Sequence, residues 1–135
     1  MTPGRRWYRM ANASSVVLLA ALLLAPLAFD VHHDESDSLT LGGRSLPSMC
    51  LKQRISGEPC STCGLGRSVV LLIHGDPSAS AARHAGGSWL VGWVIGQLVF
   101  RFALAFVAVG PRFLPVDGLL TATTFLGVCL RVATF

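Results

Sequence analysis

Charged side chains are scarce in this 135-residue chain, where Asp, Glu, Lys and Arg together make up 13%, against about 25% in soluble globular proteins. So few charges cannot coat an ordinary aqueous surface, and much of the chain must have another solvent. Signatures of common enzyme chemistry are lacking too. Gly64-Leu65-Gly66 has neither the further glycine nor the preceding strand of a dinucleotide loop, and no lysine follows a glycine-rich loop in the Walker manner. No G-x-S-x-G elbow accompanies His74, Asp76 and Ser78, which name the residue types of a hydrolase triad. Those three read instead as a polar cluster at the membrane interface. There are no paired intramembrane carboxylates of the kind that proton-coupled transporters use. Length excludes a second domain, since about 100–200 residues make one, so residues 1–135 read as a single membrane domain.

What is present points to lipid. Hydrophobic residues make up 52% of the chain and mean hydropathy is +0.58. The formal charge of +4 comes from scattered basic residues with no aromatic-interleaved stripe, which excludes nucleic acid as a partner and leaves the lipid bilayer. Arg5, Arg6 and Arg9, with Trp7 and Tyr8 among them, read as a cytoplasmic anchor before an apolar run. From Ala11 to Phe29 the chain carries no charge, and a helix of about 20 residues crosses a hydrocarbon core of roughly 30 Å. The first span is therefore placed at 11–29. A cleaved signal peptide has a similar shape, but Pro26 would stand at minus three from a cut after Ala28 and no small-residue site follows. The Asn12-Ala13-Ser14 sequon falls at the start of this apolar helix, where it carries no meaning. Residues 30–49 turn acidic and Gly-rich and read as a flexible linker, in which His32-His33-Asp34-Glu35 is a solvated segment rather than a metal site.

Two further spans follow, at about 89–109 and 117–135. Gly86-Gly87 reads as a hinge before the second, and Ser88 as its cap. Gly92 and Gly96 stand one turn apart, a spacing that lets another helix, from a partner or a second copy, approach closely. Arg101 is the awkward residue, because a cation within a span costs roughly 2.5–3.5 kcal/mol on insertion scales. Either its long stem snorkels to the interface, or it meets a buried partner such as a carboxylate or carbonyls from the preceding hairpin. Phe113 to Gly118 reads as a short turn, Cys129 as a small buried hydrophobe, and Arg131 as reaching the interface. The expected order is N-terminus inside, span, external hairpin, span, internal turn, span.

Between the first and second spans, residues 48–85 hold three of the four cysteines, Cys50, Cys60 and Cys63. An extracytoplasmic loop permits a disulfide among them. As thiolates they supply three ligands of a tetrahedral zinc site that His74, His84 or the His32-His33 pair completes, with His74 the one singled out, and zinc is then the one cofactor implied. As a dithiol, Cys60 and Cys63 at a helix start, near Arg67, suit thiol–disulfide exchange, although the βαβ setting of thioredoxin-like C-x-x-C is absent. In the plainest reading Pro59, Gly64 and Gly66 shape a tight turn that the thiols staple or pack. Leu65 to Ile73 is too short to span and is read as an interfacial helix, with Leu65, Val69, Leu72 and Ile73 on one face and Arg67, Leu71 and His74 on another. Gly75 suits its C-terminal cap. Asp76-Pro77 restarts a second short helix that runs to Arg83 and His84, cations at the negative end of its dipole.

Cys50, then Gly57-Glu58-Pro59-Cys60-Ser61-Thr62-Cys63-Gly64-Leu65-Gly66-Arg67, then Gly75-Asp76, resembles the signature of a family of small bacterial membrane proteins catalogued as domain of unknown function 2752. That signature is a cysteine, a spacer, Gly-x-Pro-Cys-Pro-x-Cys-Gly-x-Thr-Arg, a short apolar helix and a Gly-Asp turn before the next span. Here Ser61 replaces the usual proline, Gly66 the usual threonine, and His84-Ala85 stands where Asn-Pro is common. The resemblance implies a multi-span protein of the bacterial cytoplasmic membrane whose molecular function is not established. The chain is expected to be all-α, with three transmembrane helices and short interfacial helices after the Cys-rich turn. Its hairpin is expected to be a structural or metal-binding knuckle, or an interaction surface, without catalytic residues. The alternative is a membrane thiol–disulfide oxidoreductase using Cys60 and Cys63.

Overall fold

A computed structural model describes residues 3–31, 39–45, 55–56, 64–106 and 113–134. Three long helices dominate it: α1 (Pro3–Leu24), α4 (Gly86–Phe106) and α5 (Leu114–Ala133). A 3-10 turn, Ala25–Ala28, prolongs α1. All three are long and apolar enough to cross a membrane, over Arg6–Ala28, Gly86–Phe106 and Leu114–Ala133. The fold is that of an all-α integral membrane protein with three spans. Its burial pattern is the inverse of a soluble domain's. Asn12, Ser68, Ser80 and Asp117 are almost wholly buried, while Leu18, Val99, Phe106 and Leu126 are more than half exposed. With lipid outside, apolar side chains gain little by turning inward, whereas each polar group must find a partner within the bundle.

The spans start earlier than the apolar runs suggest. Gly86 and Gly87 are not a hinge but the first turn of α4, and residues 114–118 are not a turn but the first turn of α5, with Pro115 at a position where its lacking N–H costs nothing. The linker reading of residues 30–49 is also corrected where described. β1 (Phe29–Val31), β2 (Leu39–Leu41) and β3 (Arg44–Ser45) form an antiparallel sheet in that order. Leu41 pairs with Arg44 across Gly42-Gly43, both at positive φ (56° and 79°), as a tight two-residue hairpin requires. Thr40 Oγ1 donates to the Asp30 carbonyl at 3.2 Å. Through β1 the sheet packs on the short helix α2 (Leu65–Ile73), next to the 3-10 turn that ends α1.

The two short helices appear as expected, α2 (Leu65–Ile73) and α3 (Pro77–Arg83). Gly75 at φ 89° ends α2. Its N–H donates to the Leu72 carbonyl (3.1 Å), and the Asp76 N–H to that of Leu71 (3.0 Å), the paired bonds of a Schellman motif. Asp76 then caps α3, accepting from the Ala79 N–H at 2.9 Å and the Ser78 hydroxyl at 2.8 Å. The buried face of α2 differs from the apolar face expected. It holds Ser68, Val70 and Leu71, because a close helix crossing needs a small side chain and Ser68 supplies it. Helix α4 is central and packs against α1, α2, α3 and α5.

Candidate functional site

Two polar clusters sit at opposite ends of α4. At its C-terminal end, Arg101 lies five residues before Phe106, about 7.5 Å at 1.5 Å per residue. Its guanidinium does not rely on snorkelling. Nη1 donates to Asp117 Oδ2 at 2.6 Å and to Asn12 Oδ1 at 3.0 Å, and Nη2 donates to Thr121 Oγ1 at 2.7 Å. Tyr8 Oη donates to the same Asp117 Oδ2 at 3.0 Å, and Asn12 Nδ2 to the Tyr8 carbonyl at 3.0 Å. One ion pair thus joins α4 to α5, and its hydrogen bonds bring in α1. Asp117 stands in the first turn of α5, where the helix dipole favours an anion. Its other oxygen, Oδ1, is buried without a hydrogen-bond partner. Nearby, Arg9 Nε donates to the Ala105 carbonyl at 3.1 Å, a second link between α1 and α4.

The second cluster joins the α2–α3 hairpin to the first turn of α4. Ser68, with no exposed surface, donates its hydroxyl to the His84 carbonyl at 2.7 Å. Ser80 donates to the Ser68 carbonyl at 2.8 Å, its Oγ lying 2.9 Å from Ser68 Oγ. Gly87 lies so close that a Cβ there would collide with Ser68 Oγ. At Gly86 a Cβ would meet the His84 ring at 2.8 Å and Val132 of α5 at 3.0 Å. His84 is buried, and its Nδ1 accepts from the Gly86 N–H at 3.0 Å, which leaves Nε2 to carry the proton of the neutral ring. Gly64 takes φ 99° at the α2 N-cap, where a Cβ would lie 3.1 Å from the Arg83 carbonyl. Glycine is therefore required beside Cys63 both for its dihedral and for space.

The residues singled out from the sequence divide unevenly. Cys50, Gly57, Pro59, Cys60 and Cys63 lie outside the described residues, as does the run from His32 to Glu35. Among the described residues no group of three or more His, Cys, Asp or Glu side chains is arranged to hold a metal. His74 is exposed, and its Nδ1 donates to the Val70 carbonyl at 2.9 Å. Arg67 is half-buried on α2. Gly64, Gly75 and Asp76 serve chain geometry, as the caps described. Gly92 and Gly96 have open space where a Cβ would stand, so the close approaches within this chain use Gly86 and Gly87 instead. Cys129 is exposed on α5 rather than buried.

Sequence reasoning missed Tyr8, Asn12, Asp117, Thr121, Ser68 and Ser80. Arg101 was the signal for the first four: an intramembrane cation calls for a carboxylate, and Asp117 is the acid that follows it. It stood in a stretch read as a turn. Nothing in an isolated serine marks Ser68.

No curated protein and no solved structure matches the chain significantly. Residues 50–98, which run from Cys50 through α2 and α3 into α4, match the family model described as "Protein of unknown function (DUF2752)", and over that stretch the chain resembles this family.

Proposed function

We propose that the chain is a non-enzymatic membrane component that holds a cysteine knuckle, formed by Cys50, Cys60 and Cys63, at the membrane surface as a structural, metal-binding or partner-binding element. The observation that carries this reading is the clamp on the segment following Cys63. Gly64 is wedged against the Arg83 carbonyl and Ser68 is locked to His84, so the chain leaving the cysteines is anchored to α4. A rigid mount suits a knuckle, because donors held in place lose little conformational freedom on binding. Zinc is the metal such thiolates take, with His74 as the expected fourth ligand. Arg5, Arg6 and Arg9 favour an N-terminus in the cytoplasm of a bacterial cell and a hairpin outside it.

Metal content and free-thiol count on one purified sample test the proposal. The metal-binding form expects stoichiometric zinc that disappears in Cys63→Ser, with the thiols shielded from maleimide until the metal is chelated. Metal-free protein with three freely reactive hairpin thiols would remove the metal-binding form of the knuckle. One observation favours a second reading, thiol–disulfide exchange: α2 begins at Leu65, two residues after Cys63, and a helix N-terminus favours a thiolate. In that case a Cys60–Cys63 disulfide accepts two electrons from a partner dithiol, and Cys60→Ser abolishes the exchange. Protein whose thiols ignore both maleimide and dithiothreitol ends this reading. A reporter fused near Asp37 checks orientation, and a cytoplasmic score would invert it.

A further inference from the structure

We infer that the groove between α4 and α5 on the hairpin side binds an anionic phospholipid, its phosphate on Arg131 and the start of an acyl chain against Trp89, Gly92, Trp93 and Val128. The groove is an open one of about 460 Å³, lined by those four residues and Ser88. It is open at Gly92, where nothing lies within 4 Å of the position a Cβ would take. The lower wall is fixed, since Trp93 Nε1 donates to Thr124 Oγ1 at 3.2 Å and its ring meets Phe125 at 5.1 Å. Ser88 donates its hydroxyl to the Ala85 carbonyl at 3.0 Å, so the lining makes no polar demand on an occupant.

The mouth is different. Arg131 lies three residues after Val128 on the same face of α5, and its guanidinium stands 5.8 Å from the Trp89 ring centroid. It is exposed and pairs with no carboxylate among the described residues. A guanidinium above an indole, at the end of a span, is placed at headgroup depth. Its fork fits two phosphate oxygens. A second copy docking through Gly92 and Gly96 fits the groove less well. Through those glycines it would present its own α4, which carries no Asp or Glu to set beside Arg131.

Trp89 and Trp93 provide the readout, because the chain has three tryptophans and Trp7→Phe leaves only these two. The variant is reconstituted in phosphatidylcholine vesicles doped with either phosphatidylglycerol or phosphatidylcholine brominated on the acyl chains. Half-maximal quenching is expected at an about fivefold lower fraction of the anionic lipid, the factor for one cation at an anionic surface. Arg131→Gln should equalise the two lipids and Arg131→Lys should keep the preference. Gly92→Leu, whose Cβ meets nothing within 4 Å, should weaken quenching by both lipids without lowering the unfolding temperature, since a helical glycine is replaced. Equal quenching in the parent, or a preference that survives Arg131→Gln, overturns the inference. Quenching that falls as the protein-to-lipid ratio rises overturns it in favour of a second copy.

Discussion

Asp117→Ala is the most informative perturbation of the bundle. It removes the carboxylate from an ion pair whose side chains are 15% and 4% exposed for Arg101 and Asp117. Breaking a buried pair by deleting one partner costs about 3–5 kcal/mol. Arg101 keeps Asn12 and Thr121 as acceptors, which places the expected loss near the lower end, about 3 kcal/mol, or roughly a hundredfold in the folding equilibrium. Asp117→Asn retains an oxygen for Arg101 and Tyr8 but not the charge, and should cost about 1.5–3 kcal/mol, the range for hydrogen bonds to charged groups. Replacing both partners, Arg101→Leu with Asp117→Leu, should cost less than Asp117→Ala, because no uncompensated charge remains, although Tyr8, Asn12 and Thr121 each lose a partner. Reversible unfolding in mixed micelles titrated with dodecyl sulfate measures all three, and the double-mutant cycle isolates the coupling. A cost below about 1 kcal/mol for Asp117→Ala, or a double leucine variant as unstable as the single alanine one, would refute a stabilising buried pair.

Gly87→Ala should destabilise the hairpin junction by about 1–3 kcal/mol through overpacking, since its Cβ would strike Ser68. Adding Ser68→Gly relieves the collision but removes the bond to the His84 carbonyl, so the two losses should be less than additive, and a parental melting temperature for Gly87→Ala alone would refute the close approach. Gly64→Ala should cost about 1–2 kcal/mol for its left-handed backbone, whereas Gly66→Ala, in open helical space, should stabilise by up to about 1 kcal/mol. Equal unfolding midpoints for these two variants would refute the strain assigned to Gly64.

Local features were legible in advance. Gly75 and Asp76-Pro77 announced the end of α2 and the start of α3, because orphan N–H and C=O groups at helix ends admit few solutions. The polar clusters were not legible in the same way. Arg101 was recognisable as a problem, but its solution joins residues as far apart in sequence as Tyr8 and Asp117. The glycine pair chosen by spacing, Gly92 and Gly96, proved open, while Gly86 and Gly87 carry the contacts.

By itself the sequence determined that three segments cross a membrane and that two short capped helices lie between the first and second. Span length, charge content and helix-end chemistry are properties of contiguous residues, and the bilayer thickness supplies the yardstick. Tertiary structure alone decided which polar side chains meet inside the bundle and which glycines let helices touch. Those outcomes depend on how each helix is rotated about its axis and where it crosses its neighbour, and no run of contiguous residues encodes either. In lipid, where apolar side chains are nearly indifferent to facing in or out, Arg101 and Asp117 at one end of α4 and Ser68 against Gly87 at the other are what set that rotation.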